Sequence, residues 1–327
     1  MTTLVTGGAG YIGSHAVLSL LDAGEDVVVL DDLSTGFRWA VPEGVELVVG
    51  DFGDEALVTD ILQRRGVDAI IHFAAKIVVP ESVADPLGYY LNNTAKARAL
   101  IACAVRCGVK HFIFSSTAAV YGDPQQNPVT ETESLKPVSP YGRSKLMVEW
   151  MLEDTARAHP MRYVVLRYFN VAGADPQMRS GQSSANATHL IKVAVQAALG
   201  LRPGMEVFGT DYETPDGSCV RDYIQVSDLA QAHLDALSYL RAGGDNLTCN
   251  CGYKRGFSVL EVIDVVRQVS GVDFPVTISA RRAGDPAAIV ASNETILSVL
   301  KWKPQYDDLR LIVRQALDWE SRLQERG

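Results

Sequence analysis

The chain has 327 residues, 47% hydrophobic and 21% charged, with a formal net charge of -9. That is the composition of a globular protein with room for one large or two medium cores, and its acidity, with no run of Lys and Arg, excludes a nucleic-acid-binding surface. No apolar run approaches the ~18 residues that crossing a membrane takes, and Met1-Thr2-Thr3 leads straight into the first strand without space for a secretory segment, so the cytoplasm is the expected location.

Five cysteines, Cys103, Cys107, Cys219, Cys249 and Cys251, form no C-x-x-C pair, and the six histidines show no ligand spacing. No metal site is expected, and Cys103 and Cys107, four apart on a predicted helix, read as packed thiols in a reducing compartment.

Thr2 to Thr6 reads as a strand that runs into Gly7-Gly8-Ala9-Gly10-Tyr11-Ile12-Gly13, with a helix from Ile12 to Ala23. Gly8, Gly10 and Gly13 have the G-x-G-x-x-G spacing. At the first two positions a Cβ would obstruct a tight turn and keep a pyrophosphate from the amides at the helix N-terminus; at Gly13 it would hold the helix off its strand. The second strand, Asp26 to Leu30, ends at Asp31, 18 residues beyond Gly13. A carboxylate there suits a ribose and repels a 2′-phosphate, which favours NAD over NADP; Asp32 beside it leaves the choice of residue open.

Further strands are expected at Val45 to Val49, Asp68 to Phe73, His111 to Ser116 and Arg162 to Tyr168, with helices at 54–65, 92–107 and Tyr141 to Ala158. Near-continuously apolar strands alternating with helices predict a Rossmann-like doubly wound parallel sheet over residues 1–170, with some later segments returning to it. Past Asn170 the spacing is irregular. A polar loop, expected to be mobile, covers Ala174 to Ala185. Helices follow at Ala187 to Leu199, Val226 to Leu240, Ser258 to Val269 and Asp308 to Leu323, with short strands at Glu206 to Phe208, Leu247 to Asn250 and Val276 to Ile278. Residues 171–327 are therefore expected to form, mainly, a smaller mixed α/β domain over the C-terminal edge of the sheet, where open α/β sheets place ligands.

Tyr141-Gly-Arg-Ser-Lys145 puts a phenol and an ammonium on one helix face, just after a strand ending Ser115-Ser116-Thr117. Lowering a tyrosine from ~10 to neutrality takes about 3 units, or ~4 kcal/mol of differential stabilisation. A lysine and a positively charged nicotinamide together can supply it, so Lys145 is expected to depress Tyr141.

Thr6-Gly-Gly-x-Gly-x-x-Gly13, Asp31, Gly50-Asp51, Phe73-Ala-Ala75, Asn92-Asn93, Phe114-Ser-Ser-Thr117, Val120-Tyr121-Gly122, Tyr141-x-x-x-Lys145 and Arg167-Tyr168-Phe169-Asn170 occur in the order of the extended short-chain dehydrogenase/reductases, which the chain resembles over essentially its full length. The run from Ser139 to Glu149, and Asp216-Gly217 followed by Val220-Arg-Asp-Tyr223, resemble the UDP-glucose 4-epimerase branch. The resemblance implies interconversion of UDP-galactose and UDP-glucose with NAD permanently held: Tyr141 takes the proton of the sugar 4-hydroxyl while hydride leaves carbon 4, and the 4-keto sugar rotates before hydride returns. Thr117 would hydrogen-bond the substrate oxygen, and Lys145 would also hold the nicotinamide ribose.

By the same resemblance the cofactor lies against Gly7, Gly10, Tyr11, Ile12, Gly13, Asp31, Phe73, Ala74, Ala75, Asn92, Tyr141, Lys145 and Phe169, with its adenine edge at Asp51 and Phe52. The UDP-sugar would meet Thr117, Tyr141, Asn170, His189, Leu190, Arg221 and Arg282, with Glu206, Val207 and Phe208 bordering the uracil and Ile289 near carbon 2 of the sugar. Two guanidiniums converging on a diphosphate match their planar forks to its oxygens. His189 is expected to act as a neutral hydrogen-bonding group. The resemblance further implies a homodimer paired through the helices at 92–107 and 141–158. Ile77 stands where the family often has a lysine, with Lys76 one residue early. Ala118-Ala119 after Thr117 supply no general acid, which argues against the related dehydratases and decarboxylases. The presence of both Tyr141 and Lys145 argues against a non-catalytic, cofactor-sensing protein on the same fold.

Overall fold

The computed structural model describes residues 1–184, 188–282 and 284–326. Its first part alternates β1 (Thr2–Thr6), α1 (Tyr11–Asp22), β2 (Asp26–Asp31), β3 (Glu46–Val49), α2 (Glu55–Arg65) and β4 (Val67–His72). Short helices α3 (Val79–Ala84) and α4 (Pro86–Tyr89) follow, and α4 continues through a π-type turn, Tyr90–Ala95, into α5 (Lys96–Arg106). Next come β5 (His111–Ser115), α6 (Pro140–Ala158) and β6 (Arg162–Tyr168). The second part holds β7 (Asn170–Ala172), α7 (Leu190–Ala198), β8 (Met205–Phe208), β9 (Val220–Gln225), α8 (Val226–Arg241), β10 (Leu247–Cys251), β11 (Gly256–Ser258), α9 (Val259–Ser270), β12 (Val276–Ser279), β13 (Ala288–Ile289) and α10 (Leu309–Arg326).

Among the described residues, seven strands form one all-parallel sheet in the order β10-β6-β5-β4-β1-β2-β3. Side chains alternate across it with period two. Val5, Val29, Ile71, Ile113 and Leu166 point into one core with α1 and α8, while Leu4, Val28, Ile70, Phe112 and Val165 point into another with α2, α5 and α6. The sheet thus agrees with the doubly wound expectation, and β10 and α8 are the later segments that return to it. Strand order reverses between β1 and β4, which opens a crevice beyond their C-terminal ends.

Local chemistry sets the helix ends. Asp54 accepts from the Ala56 and Leu57 amides and Gly66 closes α2 in the left-handed conformation, while Ser258 and Glu261 form a capping box on α9. The helix expected to begin at Asn92 starts earlier, because Asp85 accepts from the Gly88 amide and Pro86 stands at the first helical position. The start expected at Ala187, and the loop residue Ala185, lie outside the described residues. Within 174–184 the polar segment has its own hydrogen bonds: Asp175 accepts from the Gln177 and Arg179 amides and from the Arg179 side chain, which also pairs with Asp22.

The other described strands frame the site. β9 is a spine, with β11 antiparallel and β13 parallel along its first half and β7 parallel along its second. β8 pairs with β12 separately. Strand β9 was not expected, because Val220-Arg-Asp-Tyr lacks an apolar run, and β7, β11 and β13 are too short to show a period. Asp222 holds these pieces together: its fully buried carboxylate accepts from the Tyr253 amide at 3.0 Å, Lys254 at 3.1 Å and Ala291 at 3.2 Å. Burial raises its pKa to about 6 against these bonds. Asp222→Ala orphans three N–H groups, each worth about 1–3 kcal/mol when left unsatisfied, and is expected to lower the unfolding free energy by at least about 3 kcal/mol in urea titration.

Candidate active site

The crevice between β1 and β4 is shaped by glycine. Gly7 has φ +74°, and a Cβ on it would lie 2.6 Å from the Ala74 amide nitrogen. Thr6 O accepts from the Phe73 and Ala74 amides, which locks the two strand ends together. A Cβ on Gly13 would lie 2.1 Å from the Gly7 carbonyl oxygen. Gly13 is therefore needed for the turn to close on itself, a closer constraint than the helix-on-strand packing expected for it. Gly10 has more room than expected, its ideal Cβ meeting only that same carbonyl at 3.3 Å. Gly10 caps α1 with no side-chain hydrogen bond and no acidic residue stands in the first turn, so no side chain of that turn competes for the Tyr11 and Ile12 amides. This cradle fits a dinucleotide pyrophosphate.

Asp31 accepts from the Ala9 amide at 2.9 Å and the Leu33 amide at 2.8 Å, which aims it at the glycine turn; Asp32 is exposed and engages Ser34. Of the two, Asp31 is the one held against the glycine turn. Burial raises its pKa, moderated by those two bonds. Asp51 takes the Gly53 amide at 2.8 Å and the Lys96 ammonium at 2.5 Å, and Phe52 packs on His72. Phe73 stacks against His233, and the Tyr11 phenol donates to Gly173 O at 2.7 Å. Asn92 donates to Asn93, and Asn93 does more: buried, it bonds Lys76 N and O and Ser144 Oγ, joining the segment after β4 to α6. Lys76 itself turns to Glu81 and the Tyr89 ring.

The chemistry-bearing groups meet where β5 ends and α6 begins. Ser139 caps α6 by accepting from the Gly142 amide, and Pro140 fixes the first turn, so Tyr141 and Lys145 lie one turn apart, both buried. The Thr117 hydroxyl accepts from the Ala119 amide at 3.1 Å, and its side chain lies close enough to the Tyr141 phenol to lower the phenol's pKa. Lys145 Nζ donates to Ser115 O at 2.8 Å and lies 4.9 Å from the Phe114 ring centre. Burial brings Lys145 down to about 7, with the Glu149 charge pulling the other way. Burial raises the Tyr141 phenol and the Thr117 side chain pulls the other way, the loss of water being the larger effect.

A solvent-open cleft, about 450 Å³ with the open solvent counted, is lined by Tyr11, Asn170, His189, Leu190, Lys192 and Tyr223 among others, and not by Thr117, Tyr141 or Lys145. Asn170 pairs in register with Tyr223, and Ile289 with Arg221. Phe169 and Ile289 share a small core with Tyr121 and Leu146. His189 meets Gln182 at 3.4 Å and is held below its ordinary pKa by burial and then by Lys192, consistent with a neutral ring. On β8, Val207 is buried, the Glu206 side chain is exposed, and Arg282 stacks on Phe208 at 3.7 Å. Arg221 donates to Val220 O and sits 4.0 Å from Asp285. Tyr223 and Asp285 were not anticipated as site residues; Tyr223 was within reach, since it lies two residues from Arg221 on one strand and so shares its face. Among the described residues, no group of three or more His, Cys, Asp or Glu side chains could hold a metal ion.

A buried phenol one helical turn from a buried lysine, on a sheet that carries a cradle for a pyrophosphate, defines the class: dinucleotide-dependent enzymes that oxidise and reduce a hydroxyl-bearing carbon. The sequence model of the NAD dependent epimerase/dehydratase family matches residues 3–252, and the chain belongs to that family. It is 55% identical over 322 residues to a UDP-glucose 4-epimerase of Azospirillum brasilense, covering 98% of this chain and 92% of that protein. Among solved structures it is similar to the UDP-glucose 4-epimerase of Brucella ovis in complex with NAD (44% identity, TM-score 0.94, 97% of both chains). It is also similar to the UDP-Glc/GlcNAc 4-epimerase of Campylobacter jejuni (46% identity, TM-score 0.86, 98% of this chain and 99% of that one).

Gly13→Ala drives a methyl group into the Gly7 carbonyl and is expected to cut the NAD that co-purifies with the protein by about tenfold or more, measured by acid release and enzymatic assay.

Proposed function

We propose that the chain is a UDP-glucose 4-epimerase, interconverting UDP-galactose and UDP-glucose through a 4-keto sugar, with NAD as its cofactor. The observation that carries this reading is the Thr117, Tyr141 and Lys145 arrangement at the mouth of the glycine cradle, followed by a turn of Ala118, Ala119 and Val120 that offers no carboxylate for elimination. NAD, when bound, supplies a reversible hydride acceptor. Gly7, Gly10, Gly13 and the Tyr11 and Ile12 amides would hold its pyrophosphate and Asp31 its adenosine ribose, with Asp51, Phe52, Phe73 to Ala75, Asn92 and Phe169 completing the contacts.

Tyr141 receives the proton of the 4-hydroxyl and returns it from either face of the ring. Thr117 shares a hydrogen bond with the same oxygen and Lys145 adds positive charge nearby. Arg221 and Arg282 bind the diphosphate, Phe208 and its strand border the uracil, Asn170, His189 and Leu190 line the nucleotide side, and Ile289 limits the space at carbon 2. Residues 1–170 with the returning α8 and β10 serve the cofactor, and the rest of 171–327 the sugar nucleotide. The proposed setting is the cytoplasm, where the five free cysteines stay reduced. No helix among the described residues is long and apolar enough to cross a membrane.

Purified protein is expected to convert UDP-galactose to UDP-glucose without added reductant. Tyr141→Phe should lower kcat by about 100-fold or more while keeping its NAD. Assay of UDP-galactose, UDP-glucuronate and their N-acetyl relatives side by side sets the substrate range, and a wild type inert on all four would defeat the catalytic reading in favour of NAD sensing.

A homodimer is part of the proposal. Leu87 on α4 is 78% exposed, Leu91 61% and Trp150 on α6 52%, an apolar face on helices that pack side by side and suit an isologous contact with a second copy. Sedimentation velocity should give twice the chain mass, falling to one chain in Trp150→Glu; a monomeric wild type would rule the dimer out.

A further inference from the structure

Behind the active centre lies an ion pair that the reaction as described does not use. Arg167 on β6 meets Glu149 on α6 through Nη2 to Oε2 at 2.6 Å and Nε to both carboxylate oxygens at 3.1 and 3.2 Å, with the two side chains only 6% and 7% exposed. Removing two charges from water is costly, and apolar residues of the same size would often fill such a space as well. The bonds it makes show where it acts. Glu149 accepts from the hydroxyl of fully buried Ser116, while Arg167 donates to Tyr121, whose hydroxyl donates to Asn250 at 2.6 Å.

Ser116 is the middle residue of three. Ser115 before it gives its carbonyl to Lys145, and Thr117 after it is the side chain that lowers the Tyr141 phenol. Glu149 also lies one helical turn beyond Lys145, as Lys145 lies one turn beyond Tyr141, so the three share a face of α6. We propose that Glu149, anchored by Arg167, is a positioning residue for the proton-transfer centre: it clamps Ser116 so that the Ser115 carbonyl and Thr117 hydroxyl stay in place, and its charge keeps Lys145 a cation.

The charge half of this role follows from the surroundings of Lys145. Burial takes its ammonium down to about 7, and Glu149 is the charge that opposes that fall. The other titratable or charged groups around it are Tyr141 on its own helix, Arg167 and Tyr168 on β6, and His72 on β4. His72 is buried and held down to about 3, Tyr168 is raised by burial, and Arg167 points its fork at Glu149. None of these supplies a second negative charge at neutral pH. With Glu149 neutral, Lys145 loses its proton more readily, and Tyr141 then needs a higher pH to become a base.

The proposal rests on Tyr141 as the proton-transferring group, so its test carries one readout that does not need turnover. In Glu149→Gln, which keeps an acceptor for Ser116 but no charge, the acidic limb of the kcat–pH profile should move up by about one unit, with kcat at neutral pH down about tenfold and KM within about threefold. The Tyr141 phenolate titration, read in the near ultraviolet as the difference between a protein and its Tyr141→Phe counterpart, should move up with it. Glu149→Asp, which keeps the charge, should leave the limb in place, and Ser116→Ala, which removes only the clamp, should lower kcat without moving the limb.

If the unpaired Arg167 prevents Glu149→Gln from folding, Glu149→Gln with Arg167→Met leaves no lone buried charge and, because a positive charge goes with the negative one, should show a smaller upward shift. An unmoved limb and an unmoved phenolate titration in a folded charge-neutral variant overturn the charge half; wild-type kcat in Ser116→Ala overturns the clamp. A wild type inert on UDP-sugars defeats the epimerase reading instead, and the phenolate titration still decides the role of Glu149.

Discussion

The closure of the first turn upon itself is the constraint on which the rest depends. Gly13 sits on the Gly7 carbonyl and Gly7 on the Ala74 amide, so the ends of β1 and β4 and the start of α1 form one rigid unit at the point where the strand order reverses. No side chain fits between these backbones. Space for a ligand is left beyond the strand ends, where Asp31 closes β2, Thr117 follows β5 and α6 begins. Asn93 fastens α6 to the segment after β4, which sets the distance between the cradle and the phenol.

Burial dominates the electrostatics around this unit. Asp31, Tyr141, Lys145, His189 and Asp222 all shift toward their neutral forms for the same reason, loss of water. What differs is the compensation each receives. Asp222 has three backbone amides and Asp31 two, Lys145 a carbonyl and a carboxylate one turn away, and Tyr141 a single hydroxyl. Structural carboxylates are thus well supplied, whereas the phenol expected to gain and lose a proton is left lightly held.

Much of this was legible in the chain itself. The large sheet and its helices follow from apolar runs at regular spacing, and Asp31 and the Tyr141 to Lys145 pair could be placed because each follows a predicted strand. The unread parts share a physical cause. β7, β11 and β13 run two or three residues, too short for a period, and β9 carries Arg221 and Asp222 inside a strand, where charge normally argues against one. The burial of Tyr141 and Lys145 was not legible, because spacing on a helix reports proximity but not water exclusion. Asn93 was quoted beside Asn92 without its role being seen, since an amide that satisfies two backbone groups across 17 residues of sequence leaves no local trace.

The return of β10 to the large sheet bears on synthesis. Leu247–Cys251 pairs along the whole of Val164–Tyr168, so β6 is an open edge until some eighty residues after it have been made. That edge reads Val164-Val165-Leu166, apolar and ready to pair with any strand it meets. On the ribosome the nascent first half therefore exposes this apolar edge until β10 is made, and in that interval it is open to pairing with other chains.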